Sequence, residues 1–229
     1  MRTIVVGDVH GCRQELETLL ERVSFTSGDR LVFVGDLVAR GPDSLGVLDV
    51  VRRTGAVVVR GNHEQKLLDW RATRTRPAAE QVSLGKLHLE VAEALRPVDW
   101  VLFETSPLFL DLPDHELRVV HAGLVPGVPM GAQDPATLMR IRTVPSASGP
   151  VLWGERYAGA PHVVFGHNAP AGLQLHPWAT GLDSGCVYGG ALTALVLASG
   201  EPVPQALPAR RARLVSVKAE RVWFAPTGP

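Results

Sequence analysis

Thr3-Ile4-Val5-Val6-Gly7-Asp8-Val9-His10-Gly11-Cys12 is the stretch on which the reading of this chain turns. Four β-branched residues make a short apolar run that suits a buried strand. The run ends at a glycine, and an acid and a histidine follow two apart between glycines. Alternation can carry Asp8 and His10 to one side. The flanking glycines relax the backbone where a ligand must come close. A similar arrangement returns at Gly35-Asp36, Gly61-Asn62-His63-Glu64, His121-Ala122-Gly123 and Gly166-His167.

Outward from that stretch, Leu16, Leu19, Leu20 and Val23 keep the spacing of a helix with one apolar face. Leu31 to Val34 reads as a second buried strand. Pro42-Asp43-Ser44 opens a second helix with Asp43 as its cap, Gly55 closes it, and Ala56 to Val59 forms a third strand. Strands alternating with helices in this way predict parallel pairing. From Gln65 to about Val101 the chain predicts helix, with Leu84, Leu87, Val91 and Leu95 at helical spacing. Later strands are expected at Phe109–Leu112, Leu117–Val120, His162–Phe165, Gly172–Leu175 and Leu192–Leu197. A Pro-rich stretch, Gly200 to Pro208, leads to an expected hairpin of Leu214–Val217 with Arg221–Phe224. With no internal repeat and no long linker, one domain is expected over residues 1–229, with a largely helical insertion at about 65–104 and a tail from about 200. The polar clusters all follow strands, where open α/β sheets bind ligands.

Composition narrows the classes. Hydrophobic residues make up 45% and charged residues 20%, enough apolar side chain for a large core. The 23 basic and 23 acidic residues cancel, so no global field steers the chain to nucleic acid or to a membrane. No signal-peptide pattern opens the chain, and Ala191–Ala198 is too short to cross a bilayer. A cytoplasmic protein is expected, with neither nucleic acid nor membrane as partner. Cys12 and Cys186 form no CxxC pair and read as packing residues.

The clusters together offer Asp8, His10, Asp36, Asn62, His63, His121 and His167. Carboxylate, imidazole and amide oxygen without thiolate suit harder divalent ions, Mn²⁺ first, with Fe, Zn²⁺ or Co²⁺ as alternatives. Two ions about 3.5–4 Å apart need a bridging ligand, and Asp36 is the candidate. His88, His115, His162 and His176 belong to no cluster and are expected to be hydrogen-bonded packing residues. Arg71, Arg74 and Arg76 read as a solvated helix face. Asp183 and Tyr188 fit either the wall of a pocket or a turn with buried packing.

Five ordered blocks carry a resemblance: Gly7-Asp8-Val9-His10-Gly11, Gly35-Asp36 with Arg40-Gly41, Gly61-Asn62-His63-Glu64, His121-Ala122-Gly123 and Gly166-His167. They resemble the metallophosphoesterase (calcineurin-like) superfamily, in the branch of the phosphoprotein phosphatases. Within it the chain is most similar to the symmetrical diadenosine tetraphosphate hydrolases. The resemblance implies an α/β fold, a four-layer α/β/β/α sandwich of two mixed sheets. It implies that Asp8 and His10 hold one metal, that Asp36 bridges, and that Asn62, His121 and His167 hold the second. It implies His63 as general acid and Arg40 as a phosphate ligand, with a second arginine that is either Arg142 or Arg156. The implied reaction is hydrolysis of diadenosine tetraphosphate to two ADP, with a small protein phosphatase acting on phosphoproteins as the alternative and a non-catalytic metal-binding scaffold as a third reading. Ala39 stands where the protein phosphatases carry an aspartate that orients the catalytic histidine. A nucleoside diphosphate leaves more readily than an alkoxide, so less help from an oriented acid is expected.

Overall fold

The computed structural model describes residues 1–225. The chain opens with β1 (Thr3–Val6), α1 (Arg13–Arg22), β2 (Arg30–Phe33), α2 (Ser44–Thr54) and β3 (Val57–Val58). Asp43 caps α2 by accepting the Gly46 N–H, and Gly55 ends it in the left-handed conformation. Three helices follow, α3 (Asn62–Thr73), α4 (Lys86–Ala94) and α5 (Pro97–Thr105). Next come β4 (Phe109–Leu112), β5 (Leu117–Val120), α6 (Pro135–Arg140), β6 (Thr143–Val144), β7 (Val151–Leu152), α7 (Trp153–Arg156) and β8 (His162–Phe165). The last elements are β9 (Gln174–Leu175), β10 (Ala179–Gly181), β11 (Ala191–Leu197), α8 (Leu207–Arg211) and β12 (Leu214–Lys218).

Two mixed five-stranded sheets result, in the orders β12-β11-β1-β2-β3 and β4-β5-β8-β10-β9, with β6-β7 as a separate ribbon. The expected parallel pairing holds for β1, β2 and β3, while β11 lies antiparallel on the other side of β1, with Val5 opposite Leu195.

Strand alternation builds the layers. Ile4, Val6, Leu31 and Phe33 point to one face of the first sheet and pack with Leu16, Leu19, Val47 and Val51 of α1 and α2. Val5 and Val32 point to the other face, where they meet Leu117, Val119 and Val164 of the second sheet. Val120, Val163 and Phe165 turn outward from the second sheet onto Leu138 of α6 and Trp153 of α7. The molecule is therefore helices, sheet, sheet, helices. Each fully buried side chain of this kind contributes roughly 1.5–3 kcal/mol.

Three expectations change. The helical stretch from Gln65 is broken into three helices, with Pro77, Gly85 and Pro97 at the interruptions. β12 pairs with β11, and Arg221–Phe224 forms no strand against it. Instead the Trp223 and Phe224 N–H groups both donate to Val187 O, at 3.1 and 2.9 Å. The Trp223 ring N–H donates to the buried Glu15 carboxylate at 2.7 Å, so side-chain partners fix the tail where a ladder was expected. β10 and α8 were not expected; β10 has three residues and α8 five, too short to show a period. Among the described residues no helix is long and apolar enough to cross a membrane.

Candidate active site

Six strand exits converge on one cleft of about 590 Å³. β1 leads to Asp8 and His10, β2 to Asp36, and β3 to Asn62 and His63 at the start of α3. β5 leads to His121, β8 to His167 and β10 to Asp183. Asp36, Arg40, Asn62, His63, Arg142, His167, Asp183 and Tyr188 line the cleft. Arg156 ends α7 and is not among the lining residues.

Asp36 is the centre. Its Oδ2 lies 3.6 Å from His10 Nε2 and 3.9 Å from His63 Nε2. Its Oδ1 lies 3.4 Å from His121 Nε2 and accepts the His63 backbone N–H at 3.0 Å. Two groups thus share one carboxylate, His10–Asp36–His63 and Asp36–His121–His167, each with donor atoms within 4.8 Å of one another. Asn62 Oδ1 is 3.0 Å from His121 Nε2. Asp8 accepts the His167 backbone N–H at 3.0 and 3.1 Å, which puts its carboxylate beside the second group. Arg40 Nη1 reaches to 3.0 Å from His10 Nε2, and its guanidinium lies over the rings of Tyr188 and Phe224.

The loops that make this convergence are strained. His10, Asp36, Ala39, Arg40 and His167 all hold positive φ, between 47° and 73°. Such conformations cost a non-glycine residue about 1–3 kcal/mol each. Glu64 helps to impose them. Its carboxylate, fully buried, accepts the N–H groups of Asp36, Leu37 and Gly61 at 2.9–3.0 Å. Gly166 is required by space, because a Cβ there would collide with Asp8 Oδ1.

Charge is crowded. Burial, then the nearby Asp183, holds the Asp8 carboxyl well above the usual carboxylate range. Burial lifts Asp183 to about 6, and burial with Asp36 lifts Glu64 to about 7. Burial alone would neutralise Asp36, but His121, His63 and His10 together hold it well below its ordinary value. Burial opposes charge on His121 too, yet Asp36, Asp8 and Glu64 win and raise it to about 10. Burial keeps the other rings neutral, His10 near 4 and His167 near 3. Oxygen donors short of positive charge, beside neutral imidazoles with free lone pairs, fit divalent ions. A third buried group, Cys12–Glu15–Cys186, differs in chemistry: the Cys12 contact and burial push the Cys186 thiol far up, away from the thiolate a soft metal needs.

His88 departs from expectation. Its Nε2 lies 3.0 Å from His63 Nδ1, and the two rings stack with centroids 4.7 Å apart. The available signal was its place inside the apolar stripe Leu84, Leu87, Val91 and Leu95. Glu64 and Asp183 also carry more than the motif reading assigned. His115, His162 and His176 behave as expected, bonding to Thr3, Thr180 and Gln174. Arg71 pairs with exposed Glu104 and covers Trp100, while Arg74 covers Trp70, away from the cleft.

Two facing sheets that deliver carboxylates, histidines and arginines from their strand exits to one cleft are the architecture of a metal-dependent phosphoester hydrolase. The chain belongs to the calcineurin-like phosphoesterase family, whose model matches residues 1–198. Among named relatives, the asymmetrical bis(5'-nucleosyl)-tetraphosphatase PrpE of Geobacillus sp. (strain WCH70) is 31% identical, over 91% of this chain and 96% of its own. The symmetrical bis(5'-nucleosyl)-tetraphosphatase of Chromohalobacter salexigens is also 31% identical, over 88% of this chain and 96% of its own. A crystal structure described provisionally as a diadenosine tetraphosphatase superposes with a TM-score of 0.78 at 35% identity, covering 95% of this chain and 93% of that one.

Proposed function

We propose that this enzyme hydrolyses dinucleoside tetraphosphates, diadenosine tetraphosphate above all, and cuts the chain of phosphates symmetrically to release two ADP. The observation that carries the proposal is the cleft itself. Arg40 and Arg142 line it together with the Asp36 group, so cationic forks stand beside the donor set in a space of about 590 Å³. Arginine forks match phosphate oxygens in pairs.

In this reading Asp8, His10 and Asp36 hold one divalent ion, and Asp36, Asn62, His121 and His167 hold the second, with Mn²⁺ as the ion. When bound, such a pair neutralises developing charge on phosphoryl oxygens and lowers the pKa of water. Arg40 and Arg142 bind the phosphates that flank the reacting one; of the two candidate arginines we take Arg142 because it lines the cleft. His63, whose Nε2 lies 3.9 Å from Asp36 Oδ2, takes up a proton beside the bound phosphate anion, gives it to the departing oxygen and ends as a neutral ring. Glu64 keeps the Asp36 loop in its strained shape. The place of work in this reading is the cytoplasm, and the substrate is a small nucleotide.

Some relatives are named asymmetrical and others symmetrical, so off-centre cleavage to ATP and AMP is the second reading. Product analysis separates the two. Mn²⁺-loaded protein is offered diadenosine tetraphosphate and a phosphoserine/phosphothreonine peptide at equal concentration. ADP as the sole nucleotide product supports the symmetrical reading. Equal ATP and AMP move the cut off centre. Faster phosphate release from the peptide makes the enzyme a protein phosphatase and removes the proposal. A His63→Ala control is expected to lose about a hundredfold or more on the peptide ester.

A further inference from the structure

We propose that Phe224, in the tail, is a positioning residue: together with Tyr188 it clamps the Arg40 guanidinium and keeps its fork turned into the cleft. The inference rests on the reading of the site as a phosphoester hydrolase with Arg40 on a phosphate. It extends the site to a segment past residue 198, where the family match ends.

Arg40 is held in a way that suits anion binding. Arg2, Arg52, Arg96 and Arg213 each pair with a carboxylate. Among the described residues Arg40 has no such partner, and its side chain makes one hydrogen-bond contact, to His10 Nε2 at 3.0 Å. The rest of its seat is aromatic. Its Cζ lies over the Tyr188 ring, 5.6 Å from the centroid, and over the Phe224 ring at 5.9 Å. The two rings tilt by 59° with centroids 6.1 Å apart, so they form an angled support. A carboxylate would hold the guanidinium by its N–H groups, the same groups a phosphate needs. Ring faces hold it through their quadrupole and leave those groups for another acceptor. The edge at His10 faces the donor set, because His10 Nε2 lies 3.6 Å from Asp36 Oδ2. An arginine that is free to rotate loses rotamer freedom when it takes an anion, and one ordered beforehand loses less.

The clamp is built from fixed parts. Val187 O accepts the N–H groups of Trp223 and Phe224 at 3.1 and 2.9 Å, so the backbone next to Tyr188 also carries the second ring. Buried Glu15 accepts the Trp223 ring N–H at 2.7 Å and the Glu220 N–H at 3.1 Å. Tyr188 and Phe224 both pack against the first core. Arg40 borders two spaces, the cleft and a crevice beside Gly85, Lys86 and Leu87 at the start of α4. Phe224 lines the crevice, and its ring takes up room into which the guanidinium could otherwise turn.

Two readouts test this. The first is nuclear magnetic resonance on metal-free protein with isotope-labelled arginine, the Arg40 signal being the one that Arg40→Lys removes. A guanidinium seated on ring faces is shifted upfield by their ring currents. Phe224→Leu, which keeps an apolar side chain without a ring, is expected to move the signal toward that of an exposed arginine, and Phe224→Tyr is expected to leave it in place. The second uses Mn²⁺-loaded protein with diadenosine tetraphosphate as substrate and inorganic pyrophosphate as competitor. Phe224→Leu is expected to raise KM and the pyrophosphate inhibition constant about three- to tenfold, with kcat changed less than about threefold. Phe224→Tyr is expected to regain most of the loss. In an Arg40→Ala background, Phe224→Leu is expected to add less than about twofold. An Arg40 signal unmoved in folded Phe224→Leu overturns the proposal. So do losses that multiply in the Arg40→Ala background, because Phe224 then acts as general packing. If wild type neither cleaves the dinucleotide nor binds pyrophosphate, the phosphoesterase reading falls, and the Arg40 signal alone decides the clamp.

Discussion

Arg210 is fully buried beside β10, and its guanidinium donates to the carbonyls of Pro204, Gln205, His176 and Pro177 and to Thr180 Oγ1. Asp36 is buried almost as deeply, but it shares its space with Asp8, Glu64 and Asp183. Both regions hide charge from water. In the first, every bond the charge can make is satisfied by neutral oxygen, and the result ties α8 to the second sheet. In the second, like charges crowd together, carboxyl groups are driven toward protonation, and His121 is held protonated beside them. Buried charge is thus no mark of function by itself. Buried like charges crowded against one another are one.

The contrast can be broken at either end. Arg210→Met leaves buried carbonyls without donors and is expected to cost about 3–5 kcal/mol in urea denaturation, with Mn²⁺ affinity intact. Asp36→Asn is expected to strike the metal site and turnover first. Turnover should fall on the order of 10²–10³-fold and Mn²⁺ should no longer raise the melting temperature. The metal-free variant should also lose some stability, because the His121 ring loses the carboxylate that holds its charge; a variant whose melting temperature still rises with Mn²⁺ would show that Asp36 does not hold the ion. Glu64→Gln takes one acceptor oxygen from three N–H groups and is expected to cost about 1–3 kcal/mol and to weaken Mn²⁺ binding, readable by calorimetry.

The smallest effect belongs to the surface. Arg2 holds Asp29 through two bonds and lowers its carboxyl from 3.8 to about 2. A depressed carboxyl adds stability above its unfolded value, and that stability disappears as pH falls through about 2. Asp29→Asn is expected to lose less than about 1 kcal/mol at pH 6, and the difference from wild type should vanish toward pH 2. A pH series of thermal melts measures it.

Much of this was readable in the sequence, for local reasons. Short continuous apolar runs that give way to a 3.6-residue apolar period, with Asp43 and Gly55 as punctuation, mark β1 through β3 without any knowledge of tertiary structure. The cluster residues show themselves because acids and histidines next to glycines are poor strand or helix formers, so their presence at strand ends needs a reason. What escaped was non-local. β10 is three residues long, and its pairing with β8 depends on residues outside its own stretch. The tail follows Glu15 and Val187, not a neighbouring strand. His88 was hidden for the same reason. Its partner is 25 positions away, and a histidine within an apolar stripe looks like packing until the ring opposite it is known.

The pairing of β1 with β11 sets a clock on synthesis. Val5 faces Leu195, so β1 waits for its partner through the synthesis of every element between it and β11. At about 5–20 residues per second that interval is roughly 10–40 s, during which one edge of β1 stays open. The loops after β5, β8 and β10 are made late as well, so a nascent chain carries Asp8, His10 and Asp36 long before it can carry the rest of the cleft. The donors split by time of synthesis: Asp8, His10 and Asp36 come early, and His121 and His167 join them only once β5 and β8 have been made.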